Sequence, residues 1–175
     1  MGNNLFFTKV RDVKSPTRGT PGSAGIDFYV PKFTESFITD LVNKNPGYYH
    51  RPTINGIVMH PHDRILIPSG ICVSIPHGYT LIGHNKSGVA SKKGLDILAS
   101  VIDEDYQSEI HLNVVNTGLT IQDILEDDKL LQYILIPVVI SEILEIPTLE
   151  ELYPVKTDRG VGGFGSTDER DERIV

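Results

Sequence analysis

The sequence predicts an all-β fold, a sandwich or jelly roll. Short β-rich runs recur from one end to the other, each bounded by Pro, Gly or Asn. No long stretch carries a convincing 3.6-residue apolar period. The many closely spaced turn signals suit antiparallel strands better than βαβ units. A chain of 175 residues suits one domain with a core of its own.

The runs follow in order. Leu5–Val10 combines aromatic and β-branched residues, and Ile26–Val30 lies between Gly25 and Pro31. Residues Ser36–Val42 are expected to add a turn or two of helix. Thr53–Met59 contains Asn55-Gly56 between apolar flanks, a hairpin signal. Arg64–Ile67 ends at Pro68, Ile71–Ile75 at Pro76, and Thr80–Ile82 follows Gly78. Glu109–Val115 and Leu130–Val139 are the longest later runs, and Ile121–Leu125 between them is expected to form another short helical turn. Thr148–Tyr153 reads as a short helix, with Thr148 and Glu151 at capping-box spacing. No internal repeat and no linker separates two domains.

The formal net charge is −7 and the pI about 5.3. That excludes a broad nucleic-acid-binding surface. A phosphate ligand stays compatible, held by local N–H groups, a few cations and a metal ion. The single cysteine, Cys72, lies in an apolar run and reads as a small buried hydrophobe. No secretory signal opens the sequence and no apolar run reaches bilayer length, so the expectation is a cytoplasmic protein without membrane partners. His60-Pro61-His62 lacks further ligands at metal spacing and reads as a solvated loop. The charged run Asp168–Arg173 reads as a solvated tail.

Five stretches carry chemistry. Ala24-Gly25-Ile26-Asp27 places a lone acid at a strand start. Lys86–Gly94 mixes lysines, hydroxyls and glycines, which suits a phosphate cradle, or more plainly a basic surface loop. Val101–Tyr106 holds three carboxylates and a Tyr between strand-like runs, where one acid could serve as a general base on water. Glu126–Gln132, whose Asp128–Gln132 part bears on the comparison below, enters a long apolar run. Arg159–Thr167 surrounds Phe164 with glycines, a cation and two hydroxyls. Its G-x-G-x-x-G spacing is not a dinucleotide fingerprint, because no βαβ unit frames it. It reads instead as a glycine arm able to wrap an anion and cover a flat ligand.

Taken in order, with Asn116–Gly118, these stretches resemble the five motifs of the homotrimeric dUTP pyrophosphatase (dUTPase) family. The resemblance implies a jelly-roll-like β domain over residues 1–157, decorated around 31–62, and a mobile C-terminal arm over 158–175 that closes an active site. It implies a homotrimer with active sites at subunit interfaces, and Mg²⁺-assisted hydrolysis of dUTP to dUMP and pyrophosphate. Asp103 matches the acid that activates water and contacts the sugar 3′-hydroxyl. Tyr106 matches the ring under the deoxyribose, whose bulk excludes a 2′-hydroxyl. Lys86, Ser87 and Gly88 match the phosphate-binding motif, and Gln132 the glutamine near the α-phosphate. Ser100 lies in the base-reading hairpin. Asp27 matches an acid linked to Mg²⁺ through water. Arg159, Ser166 and Thr167 match the arm's phosphate ligands, Phe164 the ring that stacks on the base, and Gly165 a further substrate-binding position.

The sequence also departs from the pattern. Lys86 stands where the family usually has Arg, keeping charge without bidentate geometry. Leu98 and Ser100 occupy hairpin positions where smaller residues, often Gly, are usual, and Asp168 follows Ser166-Thr167 in place of a glycine. Residues 31–62 and 141–157 are longer than usual. One alternative is a dCTP deaminase-like enzyme, whose catalytic Glu would fall near Asn113 with Glu109 out of register. Another is a triphosphatase for a modified deoxyuridine. An alternative of another class is a nucleotide-gated regulatory protein that uses 31–62 as a protein-contact surface.

Overall fold

The computed structural model describes residues 4–48 and 52–162. It divides into two compact units, Met1–Ile140 and Ser141–Val175. In chain order the first unit contains β1 (Phe6–Lys9), β2 (Ile26–Asp27), α1 (Glu35–Lys44), β3 (Ile57–Met59), β4 (Arg64–Pro68), β5 (Ile71–Ser74) and β6 (Tyr79–Asn85). These are followed by α2 (Ser87–Lys93), β7 (Leu95–Ile97), β8 (Val101–Ile102), β9 (His111–Asn116), β10 (Gln122–Ile124) and β11 (Leu131–Pro137). The expected all-β class holds, because most runs that read as strands find antiparallel partners.

One sheet has the order β2-β11-β6-β8 and another β4-β9-β7; β1–β5 and β3–β10 form two-stranded ribbons. Alternation decides which faces point inward. Along β9, Leu112, Val114 and Asn116 are buried while His111, Asn113 and Val115 are partly exposed. Leu81 and Tyr133 of the four-stranded sheet share one apolar core with Ile65, Ile67, Leu112 and Val114 of the other. Tyr133 stacks at 4.7 Å on Phe28 and donates its hydroxyl to the His111 carbonyl at 3.2 Å, tying the sheets together.

The structure corrects three local readings. The helix near Ser36–Val42 is a full ten residues, started by the Thr34 hydroxyl, which accepts the Phe37 N–H. It is stabilised from outside: Phe37 and Leu41 enter the core, and Phe33 meets Phe37 edge-on at 5.5 Å. Just past α1, the Asn45 side chain accepts the Leu66 N–H at 2.8 Å and donates to its carbonyl at 2.9 Å, covering the edge of β4. Ile121–Leu125 is not helical. Five residues cannot sustain a helix alone, and Gln122–Ile124 pairs with β3 instead. The Asn55-Gly56 turn sits one residue earlier than its signal, with Thr53 and Gly56 exchanging both backbone bonds around Ile54-Asn55. Gly56 has φ +129°, and a Cβ there would lie 2.6 Å from the Ile124 carbonyl.

In the second unit, α3 (Leu149–Leu152) starts as its sequence predicts, with the Thr148 hydroxyl accepting the Glu151 N–H at 3.2 Å. Among the described residues, no helix is long and apolar enough to cross a membrane.

Candidate active site

Two strand pairings gather three of the motifs. β11 sets Gln132 opposite Asp27 of β2 and opposite His84 of β6, and β6 runs directly into Lys86 and α2. Asp27 is only 5% exposed, yet both its oxygens are engaged: one by the Lys86 ammonium, the other by Lys129 at 3.1 Å. Burial pushes the Asp27 carboxyl up, but the hydrogen bonds and charges of the two lysines outweigh it and hold the group below the ordinary range. Lys129 also lies 5.1 Å from the Tyr29 ring centre.

Gln132 donates to the Asn85 carbonyl at 3.0 Å. Its Oε1 occupies space that a Cβ on Gly25 would fill, 1.9 Å away. Gly25, two residues before Asp27, therefore allows close approach of the Gln132 amide. Lys86 is the N-cap of α2 and supplies no capping side chain, so Ser87 and Gly88 open the helix toward solvent. Where the sequence offered a cradle or a basic loop, the structure places a helix. It ends at Gly94, φ +65°, where a Cβ would lie 2.8 Å from Gly118 Cα. The Thr117 N–H and hydroxyl both donate to the Gly94 carbonyl at 2.8 Å. The buried Asn116 side chain bonds Met59, Thr120 and Gly118 backbone groups. Asn116–Gly118 is thus a bracket that fixes the end of α2.

The acidic turn is fixed just as firmly. The Thr80 hydroxyl donates to the Ile102 carbonyl at 2.7 Å, and Glu104 accepts the Gly78 N–H at 2.6 Å. The Tyr106 N–H donates to the Asp103 carbonyl at 3.2 Å, and its hydroxyl to the Glu109 carbonyl at 2.9 Å. These bonds leave Asp103 exposed, its carboxylate without a partner among the described residues, beside a Tyr106 ring that is 38% exposed. Ser100 accepts the Gly83 N–H through its carbonyl at 2.7 Å, and Leu98 is 48% exposed.

The two groups do not meet in one chain. Ile102 pairs with Leu81, so Asp103 continues past Thr80 toward the start of β6, whereas Lys86 follows its end. From Leu81 to Asn85 alone the strand covers about 13 Å. Arg159, in the second unit, donates to the Gly162 carbonyl at 3.1 Å. Phe164, Gly165, Ser166 and Thr167 lie outside the described residues.

The sequence reading included Lys129 in a chemistry-bearing stretch without giving it a role, and did not single out Tyr29. Lys129 stands three residues before Gln132. Among the described residues no group of three His, Cys, Asp or Glu side chains could hold a metal by itself. The Asp27 carboxylate still fits an outer-sphere role. It has about four acceptor positions, and the lysines use two, leaving room for a metal-bound water.

The chain is similar to known proteins over most of its length. A dUTPase family model matches residues 51–168. The chain is 30% identical over 160 residues to the deoxyuridine 5′-triphosphate nucleotidohydrolase of Mycolicibacterium vanbaalenii, covering 90% of this chain and 89% of that one. It is 32% identical over 135 residues to the enzyme of the same name from Nautilia profundicola, covering 76% and 92%. The fold matches a mutant of the Staphylococcus bacteriophage 80alpha dUTPase solved with dUpNHpp, at TM-score 0.72 and 20% identity over 95% of this chain and 99% of that one. It also matches a mutant dUTPase of the S. aureus phage phi11, whose structure is described as revealing coordination of a structural Mg(II) ion, at TM-score 0.64 and 21% identity over 85% and 99%. With five motifs in order and two of the resulting clusters assembled by its strands, the chain belongs to the dUTPase family.

Proposed function

We propose that this protein hydrolyses dUTP to dUMP and pyrophosphate, using an interface site assembled from several copies of the chain. Its relatives carry the name of that activity, and an 80alpha neighbour was solved with a dUTP analogue. One observation supports the composite site: the phosphate-type cluster and the acidic turn stand at opposite ends of β6. A homotrimer brings the turn of one subunit to the cluster of the next and gives each arm, residues 158–175, a neighbouring site to close. The cytoplasmic placement expected from the sequence belongs to the same proposal.

In this reading, Asp103 accepts a proton from the attacking water and a hydrogen bond from the 3′-hydroxyl. The oxygen of that water joins the α-phosphorus while its bond to the pyrophosphate oxygen breaks. Tyr106, pinned by its hydroxyl, fills the volume a 2′-hydroxyl would need. Lys86, Ser87, Gly88 and Gln132 orient the phosphates, Ser100 lies beside the base, and Arg159 with Phe164, Gly165, Ser166 and Thr167 covers the ligand. Asp27 would hold Mg²⁺ through water, and the ion would supply neutralisation of phosphate charge.

The structure supplies a reason to prefer this over deamination. Glu109 is fully committed: Arg11 grips both its oxygens at 2.7 and 2.9 Å, and the Gly70 N–H adds a bond at 2.6 Å. The deciding assay offers dUTP, dCTP, dTTP and 5-hydroxymethyl-dUTP and follows pyrophosphate and base products. Release of pyrophosphate from dUTP without loss of ammonia from dCTP is expected. Ammonia release from dCTP would overturn the assignment.

A further inference from the structure

We propose that helix α1, in the long 31–62 segment, braces the choice of sugar through Arg11 and Glu109. The helix holds Arg11, Arg11 holds Glu109, and the Glu109 carbonyl holds the Tyr106 hydroxyl. This rests on the dUTP reading and deepens it. Tyr106 is exposed, and so are Gln107 and Ser108 after it. A ring so placed is free to swing about its side-chain torsions, and a swinging ring no longer excludes a 2′-hydroxyl. What stops it is the 2.9 Å bond from its hydroxyl to the Glu109 carbonyl. The ring is therefore only as fixed as residue 109.

Residue 109 is gripped by its side chain. Arg11 donates to both carboxylate oxygens, at 2.7 and 2.9 Å, a two-pronged geometry that lysine lacks. The Gly70 N–H adds a bond at 2.6 Å. Gly70 turns at φ +74°, and a Cβ there would lie 3.0 Å from Arg11 Cβ. The guanidinium is held in turn by α1. Its terminal nitrogen, already on Glu109, also donates to Asp40, and the ring centre of the buried Phe37 lies 5.7 Å away. The side chains of Arg11 and Glu109 are only 22% and 13% exposed, so water screens the pair weakly.

The plainer role is a tie between the segment after β1 and the start of β9, felt by folding alone. Substrate preference separates the two, because misfolded molecules drop out of a ratio. kcat/KM is measured for dUTP against UTP and for dCTP against CTP. The proteins are wild type, Arg11→Met, Asp40→Asn, Tyr106→Phe and the Arg11→Met, Tyr106→Phe double variant. Wild type should favour the deoxynucleotide by about 100-fold or more. Arg11→Met should cut that preference about tenfold and Asp40→Asn about threefold, with dUTP turnover per folded molecule unchanged. Asp40 lies on the helix surface, so its variant gives a reading even if Arg11→Met folds poorly. Tyr106→Phe keeps the ring and cuts the link. It should match Arg11→Met, and combining the two should change the ratio no further.

An unchanged preference in Arg11→Met and Asp40→Asn, with a lower melting temperature, would reduce the network to a structural tie. Additive losses in the double variant would also overturn the brace, since Arg11 would then act by a route other than the Tyr106 hydroxyl. If wild type hydrolyses dCTP and not dUTP, the substrate assignment falls, and the brace is judged on the dCTP and CTP pair.

Discussion

At the Asn85 end of β6 the charged groups of the cluster are paired before any ligand arrives, whereas at the Tyr79 end Asp103 stands in solvent with its carboxylate unengaged among the described residues. The first region is built like a binding site. Its carboxylate is buried, its cations are fixed, and its glutamine rests on a glycine chosen for space. The second is an exposed acidic turn: Glu104, the Ile102 carbonyl and Tyr106 are bonded, while the Asp103 carboxylate has no partner among the described residues. The contrast sets a cluster of charges paired in advance at one end of β6 against an exposed, unengaged acid at the other.

The sharpest way to break this contrast is to neutralise the free acid. Asp103→Asn keeps size and hydrogen bonding but removes the base. We expect kcat to fall by about 10²–10⁴ with KM for dUTP little changed. Near-normal turnover would show that the exposed turn is not the reactive end.

Assembly is the second test. Asp103→Asn chains are mixed under refolding conditions with a Ser87→Ala, Gln132→Leu double variant. Each parent is expected to be nearly inactive. If one subunit's turn serves its neighbour's cluster, random mixing should restore about one site in four. No recovery, with mixed oligomers demonstrated by mass, would mean that both regions act within one chain.

The Asp27→Asn substitution probes the binding end through stability. It leaves two ammonium groups around a neutral amide and should cost about 3 kcal/mol in denaturant unfolding. The folded carboxyl lies below its unfolded value, so its stabilisation is complete above about pH 4 and is lost as pH falls through the folded value. Wild type should therefore lose melting temperature below that pH more steeply than Asp27→Asn. Parallel curves would show that the two lysines do not depend on this acid.

Much of this was legible in the sequence, and the exceptions have physical causes. Strand runs such as Ile71–Ile75 and Leu130–Val139 carry their own apolar pattern and turn residues. The glycines, Asp27 and Gln132 could be placed by the resemblance. α1 was underestimated because its stability comes from Phe37 and Leu41 entering a core built by distant strands. α2 was missed because Ser, Gly and Val are weak helix formers, and its decisive signal is the bracket from Thr117 to Gly94. Lys129 was read without a role because its partner Asp27 comes from a distant strand, not from neighbouring sequence.

Glu109 checks the alternative chemistry. Its carboxylate holds Arg11 and the Gly70 N–H, and Arg11 also bonds Asp40. Glu109→Gln should lower stability by about 2 kcal/mol, since hydrogen bonds to charged groups are among the stronger ones. Turnover per folded molecule should not change. Activity lost without loss of stability would return Glu109 to the catalytic candidates.

The smallest expected effect lies where two motifs touch. A Cβ on Gly25 would sit 1.9 Å from Gln132 Oε1 and 2.6 Å from Cδ, so Gly25→Ala must swing the glutamine away from Asn85. Gly25 does not have the positive φ that would make backbone strain the cause. The loss should therefore fall on Gln132 alone. Losing one positioned hydrogen bond to phosphate predicts about a tenfold drop in kcat/KM, with melting temperature nearly unchanged. A double-mutant cycle isolates the cause: if Gly25 acts through Gln132, adding Gly25→Ala to Gln132→Ala should cost nothing further. Additive losses would mean that the glycine serves the ligand directly, with its bare backbone against a phosphate, and the binding end would then rest on backbone as much as on its paired charges.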